Sequence, residues 1–130
     1  MGLTGEQWHL LANGAYPNPV NVFTVSPIIS VRLGVSTTSV FIRPAYVQKI
    51  RFKHRVEPRC FEHLPAIASD GIVFADSEPN YVQIFGQIDE KLYRLILKGI
   101  PEINEIWIST FLRSHDRDFR KRTRGVLRIR

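Results

Sequence analysis

The sequence predicts an α+β fold, a small twisted antiparallel sheet of about four strands with N-terminal helices packed on one of its faces. Two observations carry this. Apolar residues at helical spacing, with start and stop signals, occupy the stretch before Gly71; from Ile72 onward the apolar period is two, in runs separated by turn residues. A third observation sets the size: 130 residues with 44% hydrophobic content supply one modest core.

The elements follow in order. Residues 1–21 give a short helix near "GEQWHLL" and then a loop, because the Asn, Gly and Pro of "NGAYPNP" oppose regular structure. "SPIISVRLG" outlines a helix with Ser26 as N-cap, Pro27 at the first position and Gly34 as the stop. "SVFIR" is a strand ended by Pro44, which opens the helix "PAYVQKIRFKHR" with Val47, Ile50 and His54 on one face. Glu57-Pro58 breaks it, and "PRCFEHLPAIASDG" is a further helical segment bent at Pro65. Strands are expected at "IVFAD", "YVQIFGQI", "KLYRLILK" and "EIWISTFLR", with a turn at Asp89-Glu90 and a link through "GIPEIN".

Composition excludes several classes. No apolar run reaches the roughly 18 residues that cross a bilayer, so no membrane partner is expected. "MGLTGEQWHLL" lacks the pattern of an export signal. One cysteine, Cys60, supports neither an internal disulfide nor a cysteine zinc site, which favours a reducing cytoplasm. The spacings of His54, His63 and His115 match no metal-binding pair, and no metal or other cofactor is expected. The formal charge of +6 lies in the last eighteen residues, where Arg113–Arg130 holds eight Lys/Arg against two Asp. Such a tail suits a polyanion, and it equally suits a solvated end. Arg43 to Arg59 forms a second basic cluster with Glu57 as its lone acid.

Strict alternation divides the last two strands into faces. Tyr93, Leu95 and Leu97 point one way with Ile106, Ile108, Thr110 and Leu112. Arg94, Lys98, Ser109 and Arg113 share the other with Trp107 and Phe111, and cations interleaved with aromatics suit single-stranded RNA, whose phosphates need charges and whose bases need flat rings. A solvated face with surplus aromatics fits the same pattern. His54, at a helix end between Lys53 and Arg55, has a titration near neutrality suited to acid–base work, while a structural ring beside Ile50 is the other reading.

The ordered set His54, Phe61, Leu64-Pro65, Gly71-Ile72, Lys98 and Thr110-Phe111, within "VFIRPAYVQKIRFKHRVEPRCFEHLPAIASDGIVFAD", "LYRLILKGI" and "EIWISTFLR", resembles the phage-associated branch of the barnase/EndoU/colicin/RelE-like (BECR) nucleases. The likeness runs from Gly34 to Arg113, and "KHRV…FEHL" is also similar to BrnT/RelE-type toxins. One departure is Arg55, where the branch has proline. The resemblance implies a nuclease domain over 26–113, an accessory segment over 1–25 and a basic tail over 114–130.

The expected function is a metal-independent endoribonuclease (a hydrolase) acting on single-stranded or loop RNA in the cytoplasm of a bacterial host, phage or prophage associated or toxin-like, with an acidic antitoxin or immunity protein as a further partner. His54 would be general acid or base, Lys98 and Arg113 would stabilise the phosphorane, and Ser109 or Thr110 would bind a phosphate oxygen. Thr110 and Lys98 fall on opposite faces under strict alternation, so this site requires a β-bulge or Ser109. Arg51, Lys53, Arg94, Trp107, Phe111, Arg117, Arg120 and Lys121 would hold RNA. The alternative is a non-enzymatic nucleic-acid-binding or phage structural or assembly protein.

Overall fold

A computed structural model describes Thr4, Glu6–Trp8 and residues 20–130. The elements in chain order are β1 (Val20–Thr24), α1 (Pro27–Leu33), β2 (Ser39–Ile42), α2 (Pro44–Gln48), α3 (Pro58–Phe61), α4 (Leu64–Asp70), β3 (Ile72–Ala75), β4 (Tyr81–Ile88), β5 (Lys91–Ile100), β6 (Glu105–Arg113) and α5 (Asp116–Thr123). The fold is α+β. Its sheet has six strands in the order β1-β2-β6-β5-β4-β3, mixed because β2 runs parallel to β6 while every other pair is antiparallel. This corrects the expected four-stranded antiparallel sheet, and the difference is the addition of β1 and β2 at the β6 edge.

Local signals explain most elements. Pro27 starts α1 with fixed φ, and Gly34 ends it at φ 80°, in the left-handed region that glycine enters without penalty. Pro44 and Pro58 start α2 and α3 in the same way. α2 continues into a π-helical turn over Lys49–Lys53, where the His54 N–H reaches back to the Lys49 carbonyl at 3.2 Å. Asp89 and Glu90, at φ 51° and 67°, make the two-residue turn between β4 and β5. At the N-terminus Thr4 and Gln7 cap each other: the Gln7 N–H donates to Thr4 Oγ1 and the Thr4 N–H to Gln7 Oε1. The loop expected at "NGAYPNP" lies outside the described residues.

Two apolar layers hold the sheet. On one face Leu33 of α1 lies against Gly99, whose bare Cα permits the contact, since a Cβ there would meet the Leu33 carbonyl oxygen at 2.2 Å. Ile67 of α4 lies over Gly86 in the same way. Phe61 of α3 stacks between Trp8 and Phe111, at centroid distances of 4.7 and 5.9 Å, and each such buried ring contributes roughly 1.5–3 kcal/mol by removal from water. Trp8 and β1, both from the segment expected to be accessory, therefore belong to the main core and the sheet.

The second layer lies on the opposite face. Phe119 of α5 packs edge-on against Phe85 at 4.8 Å and Phe74 at 5.9 Å. Helices thus cover both faces, and the expected one-sided packing is corrected by this single aromatic anchor. Beyond α5 the chain returns along β3, with Ile129 N–H donating to the Val73 carbonyl at 2.7 Å and Arg130 Nη2 to the Gly71 and Ala68 carbonyls. The stretch expected as a tail is thereby tied to the sheet.

Candidate nucleic-acid interface

The face opposite the helical core is built from rows of side chains set by register. Pairing aligns Phe41 of β2, Trp107 of β6, Lys98 of β5 and Tyr81 of β4 in one row across four strands. A parallel row holds Leu112, Arg94 and Phe85, under the edge of α5. Paired residues share a face, so each row sets one cation among aromatic or apolar side chains.

A cavity of about 260 Å³ opens on the first row, lined by Arg43, Tyr46, Tyr81, Lys98, Glu105 and Trp107 together with apolar neighbours. Each of its three rings carries a cation: the Arg43 guanidinium lies 4.6 Å from the Trp107 centroid, Lys49 Nζ 4.9 Å from Tyr46 and Lys98 Nζ 5.6 Å from Tyr81. Local structure explains the convergence. β2 ends at Ile42, and α2 turns off beside the still-running β6, so that Lys49 Nζ reaches the Ser109 carbonyl at 3.5 Å.

The bulge that strict alternation lacked is present. Thr110 pairs with Ile96 and Ile108 with Leu97, leaving Ser109 as the extra residue in β6. Its consequences run both ways. Thr110 joins the face of Lys98, correcting its expected core-facing direction, and its buried Oγ1 has no hydrogen-bond partner among the described residues. Phe111 turns instead into the core, where it is fully buried, and Arg113 turns with it to pair with Tyr93. The expectation that Phe111 forms part of an RNA surface is therefore corrected.

The expected catalytic trio does not converge. Lys98 and Arg113 occupy opposite faces, and five positions along β5 separate Lys98 from Tyr93, the partner of Arg113, which is roughly 16 Å at about 3.3 Å per residue. His54 is half-buried just past the π turn, and its imidazole is held below its ordinary pKa by burial and then by Lys49 and Lys53. Burial and those two lysines favour the neutral ring.

The remaining residues fall into two groups. Arg51 donates from Nη1 to the Val56 carbonyl at 3.3 Å and packs over Phe52, so it shapes its own loop, while Lys53 is exposed beside His54. Arg94 is half-buried, donates to Gln83 Oε1 at 2.8 Å, and has its pKa lowered by burial and by Arg122 of α5. Arg117, Arg120 and Lys121 share one exposed side of α5 with Arg124 just beyond it, around a cavity of about 190 Å³. Arg122 beside Arg94 links this helix to the Lys98 face.

Tyr93, whose hydroxyl lies 3.5 Å from the Cys60 sulfur, is pushed up to about 12 by burial and by that contact, and stays neutral. Residue reasoning missed Phe41, Arg43, Tyr46, Tyr81 and Glu105. Alternation within "SVFIR" sets Phe41 and Arg43 on one side, but only the long-range pairing of β2 with β6 brings them to Trp107. Among the described residues no three His, Cys, Asp or Glu side chains group as metal ligands, and no helix is long and apolar enough to cross a membrane. Comparison with protein-family models, with curated proteins and with solved structures finds no match to this chain.

Proposed function

We propose that the protein binds single-stranded RNA on the Phe41–Trp107–Lys98–Tyr81 face, without turnover. The observation that carries this reading is the pairing of each ring around the cavity with its own cation, at 4.6 to 5.6 Å, on a partly exposed sheet face. Unstacked bases stack on the Arg43 guanidinium plane over Trp107 or on rings from which the flexible lysines swing away, and Lys49 and Lys98 neutralise phosphates. A base pair in a duplex hides both ring faces in the stack, so this chemistry suits single strands. Arg94, Arg122 and the exposed side of α5 extend the positive track from the cavity across the sheet.

Binding is favoured over cleavage by the positions of the ionisable groups. Transesterification of a phosphodiester needs a proton-transfer group and a charge stabiliser about one phosphate. Lys98 and Arg113, the two cations expected to share one phosphorane, diverge to opposite faces of the sheet.

The test is fluorescence anisotropy with a labelled twelve-nucleotide RNA of mixed sequence, alone and annealed to its complement, alongside gel analysis of the same RNA with chelator present. The expected result is tight binding of the single strand, weaker binding of the duplex and intact RNA. Trp107→Ala should lower affinity by about 1–3 kcal/mol, the cost of one lost stacking platform. Cleavage that disappears in His54→Ala would replace this reading with the ribonuclease.

A further inference from the structure

We infer that the 260 Å³ cavity selects guanine, with Glu105 as the residue that reads the base. This deepens the RNA-binding proposal and rests on it.

Glu105 is the one acidic side chain lining the cavity, among Arg43, Lys98 and three aromatic rings. The arrangement predicts an ion pair, yet among the described residues no Lys, Arg or His nitrogen lies within 4.0 Å of its carboxylate; the two ion pairs found both belong to Arg59. The carboxylate is held instead by a neutral donor. Trp107 Nε1–H donates to Glu105 Oε1 at 3.1 Å, which leaves Oε2 and the second lone pair of Oε1 available. Glu105 pairs with Ile100, two residues from the Lys98–Trp107 pair, and so stands on the same face at the end of the aromatic row.

A planar carboxylate with both oxygens available matches a base edge carrying two adjacent N–H donors. Guanine has that edge in N1–H and the N2 amino group. Uracil offers one N–H flanked by carbonyls, while adenine and cytosine offer an amino group beside a ring nitrogen whose lone pair repels the second oxygen. The neighbouring rings stack any of these bases, and the cations hold any phosphate. Discrimination therefore falls to Glu105.

The test uses labelled octauridine and the same strand with a single central G, A, C, inosine or 7-deazaguanosine, titrated by anisotropy against the full chain. The G strand should bind roughly tenfold tighter than the A, C and U strands, from one bidentate contact. The 7-deazaguanosine strand should match G, because the Hoogsteen edge is unused, and inosine, lacking the amino group, should lose most of the preference. In Glu105→Gln, checked for folding by its thermal melt, the ratio of G to A affinity should fall to about one, since an amide cannot accept at both atoms. Equal affinity of the wild-type protein for all the strands, or a G preference that persists in Glu105→Gln, overturns this inference and leaves RNA binding standing. Absence of binding to every strand overturns both.

Discussion

Two aromatic residues four positions apart on one strand have opposite work. Phe111 is fully buried between Phe61 and Tyr93, whereas Trp107 stands half-exposed under Arg43. Phe111→Ala should lower stability by about 3–5 kcal/mol, read by urea unfolding, because it leaves a cavity in the core. Affinity for RNA, measured where that variant remains folded, should be little changed. Trp107→Ala should do the reverse, weakening binding with a stability loss smaller than that of Phe111→Ala. His54 makes a separate prediction. Its folded pKa lies below its ordinary value of 6.5, so the unfolded chain takes up the proton first as pH falls. Its contribution to stability is present above pH 6.5 and is lost as pH drops through the folded pKa. In unfolding titrations from pH 8 to pH 5, His54→Gln should show a shallower acid-side decline than the wild type; equal slopes would contradict the assignment.

At the scale of elements, the bulge at Ser109 decides which β6 side chains meet solvent. Deleting Ser109 restores strict alternation and forces either Phe111 out of the core or Ile106 and Ile108 away from it. The deletion should cost at least about 3 kcal/mol in urea unfolding, whereas Ser109→Ala should cost under about 1 kcal/mol, because the Lys49 contact is to the Ser109 backbone carbonyl, which alanine keeps. Much of the remaining architecture was legible. Pro27 through Gly34, Pro44 as a helix start, the break at Glu57-Pro58 and the β4–β5 hairpin all follow from local chemistry that needs no distant partner, whereas Ser26 holds the N-cap position without the expected side-chain cap bond. What was hidden depends on partners far along the chain. β1 is five residues long and gains its stability from pairing with β2, while "DRDFRKRT" has one apolar residue, Phe119, whose value as an anchor exists only once Phe74 and Phe85 are side by side. The bulge leaves no compositional mark. Hence Arg94, Lys98 and Trp107 were found on their face, and Phe111 and Arg113 were carried to the wrong one.

At the scale of the molecule, charge and topology act together. Four of the eight cations behind the formal +6, Arg117, Arg120, Lys121 and Arg122, stand on α5, which packs on the sheet face opposite the helical core with Arg122 beside Arg94. Arg113 lies on the other face. The central claim, that one face of the sheet receives RNA, is therefore tested most directly by comparing Lys98→Met with Arg113→Met in anisotropy titrations of a twelve-nucleotide single strand across a salt series. Each substitution removes one positive charge, so net charge cannot distinguish them. The account predicts that Lys98→Met weakens binding by roughly tenfold and flattens the slope of log K against log salt by about 0.7, one phosphate contact's worth, while Arg113→Met leaves both nearly unchanged. Equal losses from the two variants, or a greater loss from Arg113→Met, would contradict it.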